Sequence, residues 1–410
     1  MRSSISNSDR PALTAAQSWA IVRPFLVWLV GLSLGLVILS EVAFRLAGVD
    51  YPTLGQADMD RGWAGRPGAH GIIGDENKAG VEISINSDGL RDVEHSLNKP
   101  ADTFRVAVLG NSYTEAFPVP LEQAYWNVTG KELGKCLPPG KEKVEMINFG
   151  VGGYGTAQEL ITLRTQVWKY KPDMVLLGFL TSHDVWYNYR PLSQQAQAPY
   201  FVLKNGKLEL DDSFKSNIKS QKAKAILLAV QDRLRALGAV THARGDVKQW
   251  IFTTMQELKA SKDSSVKVSL LPTDFVYLEP KDEKWVEGWK VTEALLKQMR
   301  EEVKAAGVPF VVATLSNAIQ VNPDPQVRQN FMNQLGVQTL FYPDQRVSAL
   351  GAKEGFPVVQ IAQGLAERAT RENVYWHGFP GAMGKGHWNE SGNRAAGEAI
   401  AAGVCEALKP

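Results

Sequence analysis

The chain has 410 residues, 21% of them charged, and a formal net charge of +2 at pH 7. That length buries a large core and accommodates two or three folding units, while the near-neutral balance gives no electrostatic footprint for nucleic acid. Its six histidines show no close ligand spacing, so neither a metal nor another cofactor is expected.

The first element is apolar. Pro24 to Ser40 runs 17 residues without a charge, close to the ~20 that cross a bilayer. Arg2, Arg10 and Arg23 precede it, which places the N-terminus inside. No A-x-A cleavage site follows, so the expectation is an uncleaved anchor. Residues 1–23 then form a cytoplasmic segment and 24–45 a single span held in the lipid bilayer of a bacterial-type inner membrane, with the rest in the periplasm. Residues 46–103 read as a small extension, with Val81–Asn86 alternating as a strand does.

From Arg105 the pattern alternates strand and helix. Strands are expected at Arg105–Leu109, Val144–Asn148, Met174–Phe179, Pro309–Leu315 and Pro357–Ile361. Helices are expected near 121–133, 156–170, 291–306 and 390–408. This alternation predicts an α/β fold with a doubly wound parallel sheet. About 130 residues separate the third and fourth strands, where a crossover needs roughly 30. Residues 191–287 therefore form an insertion between the domain halves 104–190 and 288–410. It holds an amphipathic stretch, Ala223–Leu237, and the aromatics Tyr200, Phe201, Trp250, Phe252 and Trp285. A lid over a ligand and a docking subdomain are both consistent with it.

Ser112 sits on the turn leaving the first strand, at the edge where open α/β sheets place their ligands. An acyl ester reaction needs such a nucleophile, a base within hydrogen-bond reach and donors for the developing oxyanion. His387, in a Gly-rich loop leading into the last helix, supplies the base. The N–H groups of Ser112 and Gly153, with His183 after the third strand, supply the donors.

On these residues the chain resembles the SGNH (GDSL-type) hydrolase family, in its membrane-anchored extracytoplasmic branch. Gly110-Asn-Ser-Tyr-Thr114 is similar to the first block, Asn148–Gly155 to the second, Gly178–Asp184 to the third and His387-Trp-Asn389 to the last. Ile85–Arg91 is also typical of this branch. The resemblance implies a flavodoxin-like sheet in the order 2-1-3-4-5, with Ser112 and His387 catalytic and Asn111, Thr114, Asp184 and Lys385 around them. It also implies a glycan or other acyl-ester substrate and a membrane-protein partner such as an O-acyltransferase. The sequence departs from the family at three places. Asn111 stands for an Asp, His183 for the oxyanion Asn, and Gly384-Lys385 where an Asp normally precedes the catalytic His. An esterase or acyltransferase and a catalytically degenerate binding subunit therefore both remain open. In the implied sheet order the first and last helices share a face, so Cys136 and Cys405 are expected to form a disulfide.

Overall fold

The computed structural model describes residues 15–47, 53–217, 234–240, 243–244, 247 and 270–409. The chain divides into two compact units, one of residues 1–51 with 229–250 and one of 52–228 with 251–410. The first contains α1 (Ala15–Leu46), whose stretch Val22–Leu46 has a mean hydropathy of 2.2 and no buried residue. That stretch is long and apolar enough to span a membrane. The helix starts nine residues before the apolar run, since nothing in Ala15–Arg23 breaks helix geometry.

The second unit opens with two hairpins, β1 (Gly55–Asp58) with β2 (Gly62–Gly65) and β3 (His70–Ile73) with β4 (Val81–Ser84). Leu54, Ala69, Val81, Ile83 and Ile85 form a small core of their own, against which Ile73 and Phe117 pack. The motif Ile85–Arg91 joins it to the main sheet. Asn86 Oδ1 accepts the N–H groups of Asp88 and Leu90, closing a turn. Buried Arg91 then donates to the carbonyls of Glu115, Ala116 and Val119.

The main sheet comprises β5 (Thr103–Gly110), β6 (Lys143–Asn148), β7 (Met174–Leu180), β10 (Phe310–Leu315) and β11 (Val358–Gln360). All pairings are parallel, in the order β6-β5-β7-β10-β11. Counted along the chain this is 2-1-3-4-5, the flavodoxin-like order. Every residue of β5 and β7 is buried, as a strand covered on both faces requires. Alternation divides each strand between two layers. Ala107, Leu109, Val175 and Leu177 meet α4 (Thr156–Thr162) and α6 (Glu283–Ala305), whereas Val106, Val108, Met174 and Leu176 face α3 (Tyr125–Leu133), α9 (Ala362–Glu372) and α10 (Glu390–Ala407).

On that second face α3 and α10 lie side by side. Tyr125 N–H donates to Asn393 Oδ1 at 3.0 Å and Thr129 Oγ1 to Gly397 O at 3.1 Å. Cys136 and Cys405, just past α3 and near the end of α10, form a disulfide with a Cα separation of 5.8 Å. The helix expected over 156–170 changes pitch at Leu163, passing through a wide turn to Val167 and a tight one at Trp168–Tyr170. Within 191–287 the described residues form a hairpin of β8 (Tyr200–Lys204) and β9 (Lys207–Asp211), then the start of α6. Tyr200, Phe201 and Trp285 are buried. Residues 223–233, Trp250 and Phe252 lie outside the described residues.

Candidate active site

Ser112 begins α2 (Ser112–Glu115), a single turn directly after β5. Asn111 caps that turn, its Oδ1 accepting the Tyr113 N–H at 3.1 Å. Its Nδ2 donates at 3.1 Å to Asp184 Oδ2, on α5 (Thr181–Tyr187), which also accepts the Leu180 N–H at 2.7 Å. An amide at 111 can cap the turn through Oδ1 and donate to Asp184 through Nδ2, where a carboxylate would have only acceptors to offer. Burial raises the pKa of Asp184. It does the same to neighbouring Glu159, whose carboxyl oxygens have no hydrogen-bond partner among the described residues. Thr114, fully buried under the turn, shares a 3.0 Å hydrogen bond with the Tyr125 hydroxyl.

His387 reaches this turn from the loop ahead of α10. Its Nε2 lies 2.8 Å from Ser112 Oγ. The Tyr113 ring stands 4.9 Å from the imidazole, and the Tyr113 hydroxyl donates to Gly386 O at 3.2 Å. Buried His377 also donates to that carbonyl, from Nδ1 at 2.9 Å, and burial brings its pKa down to about 4.

The acid for this histidine comes from the far end of the sequence. Glu76, on the loop after β3, places Oε1 2.5 Å from His387 Nδ1 and accepts the His387 N–H through Oε2 at 2.9 Å. Gly386 makes room for it. Its φ is +70°, and a Cβ there would lie 2.6 Å from Glu76 Oε2. Burial works to raise the Glu76 pKa, but the hydrogen bonds and charge of His387 outweigh it and hold the carboxyl below its ordinary range. Asn77 pins the loop by donating to Pro118 O at 3.1 Å. Sequence reading missed Glu76, since 311 residues separate it from His387 and the sequence offers only two adjacent acids, Asp75 and Glu76, in a short polar loop between glycines.

The other expected residues divide. Gly152 lies beside Ser112, a Cβ on it falling 3.8 Å from Ser112 Cβ. The N–H groups of Ser112 and Gly153 have no acceptor among the described residues. His183 is bonded through Nδ1 to Ser182 Oγ at 2.9 Å, and that hydroxyl spends its proton on Asn317 Oδ1 at 2.6 Å. His183 Nδ1 is therefore the donor in this pair. Burial holds the ring neutral, with its pKa down to about 4, so Nε2 carries a lone pair instead of the N–H that an oxyanion needs. Lys385 does not reach His387; its backbone N–H closes a turn onto Ala382 O at 3.2 Å.

Beside Ser112 and His387 is a cavity of about 170 Å³, also lined by Ile73, Glu115, Phe117 and Pro118. Among the described residues no cluster of three or more His, Cys, Asp or Glu side chains could hold a metal ion.

No protein-family model and no curated protein matches the chain. Among solved structures it is similar to a lipolytic protein of the G-D-S-L family from Desulfitobacterium hafniense, with 12% identity over 73% of this chain and 99% of that one, at a TM-score of 0.34. It is also similar to an acetyl xylan esterase, at 12% identity over 74% and 100% of the two chains and a TM-score of 0.35. A variant acetyl-xylooligosaccharide esterase from Geobacillus gives 13% identity over 73% and 93%, with a TM-score of 0.37.

Proposed function

We propose that the chain is a membrane-anchored, extracytoplasmic SGNH-type acyl esterase or O-acyltransferase acting on a cell-envelope or polysaccharide ester. The observation that carries this reading is the unbroken line from Ser112 Oγ through His387 to Glu76, with contacts of 2.8 and 2.5 Å. With its carboxylate accepting Nδ1–H, Glu76 fixes the tautomer that leaves Nε2 free to take the Ser112 proton. Ser112 Oγ then attacks the acyl carbonyl. The oxyanion is met by the Ser112 and Gly153 N–H groups, and Glu76 stabilises the imidazolium. His387 returns the proton to the departing alkoxide, and the acyl-serine is resolved by water or by an acceptor hydroxyl. The small cavity walled by Phe117 favours a short acyl group. Transfer to a glycan hydroxyl, with a membrane-bound O-acyltransferase as donor partner, is the version that the sequence resemblance supports. Anchoring through residues 24–45, with the catalytic unit in the periplasm, accords with the apolar α1 and the disulfide.

The test is labelling of the full chain in detergent with a fluorophosphonate, with Ser112→Ala as control. Labelling that disappears in the control supports an activated serine. A folded wild-type chain that stays unlabelled points instead to a scaffold retained for binding.

A further inference from the structure

We propose that Trp63 is a positioning residue for the oxyanion-binding peptide and acts through the Gly152 carbonyl; the proposal rests on the esterase reading above. The indole Nε1–H of Trp63 donates to Gly152 O at 2.9 Å. That carbonyl and the Gly153 N–H belong to one peptide unit. In a trans peptide the two point in opposite directions, and the described residues contain no cis bond. Holding the carbonyl on the Trp63 side therefore turns the Gly153 N–H to the other side.

The preceding N–H is held as well. Gly152 N donates to Glu115 Oε2 at 3.0 Å, and Glu115 shares the cavity with Ser112. The peptide before Gly152 is thus anchored by Glu115, and the peptide between Gly152 and Gly153 cannot rotate its N–H away without breaking the Trp63 bond. Gly153 adopts φ +79°, and a Cβ on it would meet Trp63 Cζ2 at 3.3 Å, so the indole also packs flush against the turn. A hydrogen bond to the carbonyl polarises the peptide and strengthens its N–H as a donor. Trp63 itself is held firmly. Its ring makes an edge contact with Tyr154 at 5.6 Å, the Tyr154 hydroxyl donates to Trp63 O, and Gln158 Nε2 donates to Arg61 O at 2.8 Å. The hairpin of β1 and β2 thereby becomes part of the site, although none of its residues lines the cavity beside Ser112.

The experiment compares hydrolysis of p-nitrophenyl acetate by the full chain and three altered forms. Trp63→Phe keeps an aromatic ring and removes the N–H. A form with 3-benzothienylalanine at position 63 keeps the fused ring and lacks only the N–H, so it reads the donor even where Trp63→Phe does not fold. Tyr154→Phe loosens the hairpin and leaves the indole donor in place. The proposal expects kcat to fall ~10–100-fold in both position-63 forms, with KM within about twofold, a fraction of the loss seen when an oxyanion donor is removed outright. Tyr154→Phe should stay within about threefold of wild type. Unchanged kcat at position 63, or an equal loss in Tyr154→Phe, overturns the proposal while wild-type activity keeps the esterase reading intact. A wild-type chain inert to both the ester and the fluorophosphonate overturns the esterase reading, and this proposal with it.

Discussion

Glu76 is where the energetics of the site concentrate. A carboxylate that accepts from both Nδ1 and the backbone N–H of one histidine fixes its ring and backbone together. Glu76→Gln would retain an acceptor for the His387 N–H but present an amide NH₂ to Nδ1. The ring would then have to bare Nδ1 and carry its proton on Nε2, facing a hydroxyl that needs an acceptor. Loss of kcat by ~10³–10⁴-fold is expected, the scale of the same exchange in serine-protease triads, with the disulfide and thermal midpoint little changed. A loss below about threefold would remove Glu76 from the mechanism, and Lys385→Ala should serve as a neutral control. Ser112 and His387 were readable because each sits at a strand or helix boundary whose periodicity marks the sheet's carboxyl edge. Glu76 was not readable, because its proximity to His387 exists only once β3 and β4 dock. Asn111 read as a departure, and its cause is a buried partner, Asp184, that no spacing could reveal.

Among the elements, the small extension carries more than its size suggests, since it delivers both Glu76 and Trp63. It is tied to the sheet through His95, which is 3.0 Å from Asp92 Oδ2 and 2.7 Å from Glu145 Oε1. Glu145 is in turn paired with Arg105 at 2.7 Å, and Asp92 Oδ2 accepts the Asn148 N–H at 2.8 Å. Burial works to lower the His95 pKa, but the two carboxylates outweigh it and raise it. Folding therefore favours the protonated ring. Its contribution is complete below the unfolded value of about 6.5 and is lost as pH climbs through the higher folded value. The amount by which the wild-type thermal midpoint exceeds that of His95→Gln should shrink between pH 6 and pH 8.5, a difference in which the opposite contributions of buried His183 and His377 cancel. A difference independent of pH across this range would exclude the linkage. The five sheet strands were legible as apolar runs with turn signals. The hairpin of β1 and β2 was not, because Gly55, Gly62 and Gly65 carry no strand propensity and the pairing is fixed by docking on Tyr154 and Gln158. The helices α7 (Pro325–Leu335) and α8 (Tyr342–Glu354) also escaped, since each begins with a proline in its first turn. Proline is tolerated there but reads as a breaker in a short polar stretch.

At the scale of the whole molecule, the site is assembled from three distant parts of the chain: the extension, the turn after β5 and the loop before α10. Sheet formation places the turn after β5 but not the loop before α10, which no sheet strand directly precedes. The Cys136–Cys405 disulfide joins α3, which follows the Ser112 turn, to α10, which follows the His387 loop, across a sequence separation of 269. Closing a loop of that length removes unfolded-state entropy worth about 5.6 kcal/mol in the chain-entropy model. Cys136→Ser with Cys405→Ser should therefore lower the thermal midpoint of the catalytic unit by on the order of 10 °C. Below the midpoint, kcat should stay within about threefold of wild type, because the Asn393–Tyr125 and Thr129–Gly397 hydrogen bonds still hold α3 against α10. The two readouts separate the possibilities. An unchanged midpoint would mean that packing and these hydrogen bonds hold the helix pair and the bridge adds nothing. A kcat loss of tenfold or more in a fully folded variant would mean that the bridge sets the distance between Ser112 and His387 directly, making redox state a condition of activity as well as of stability.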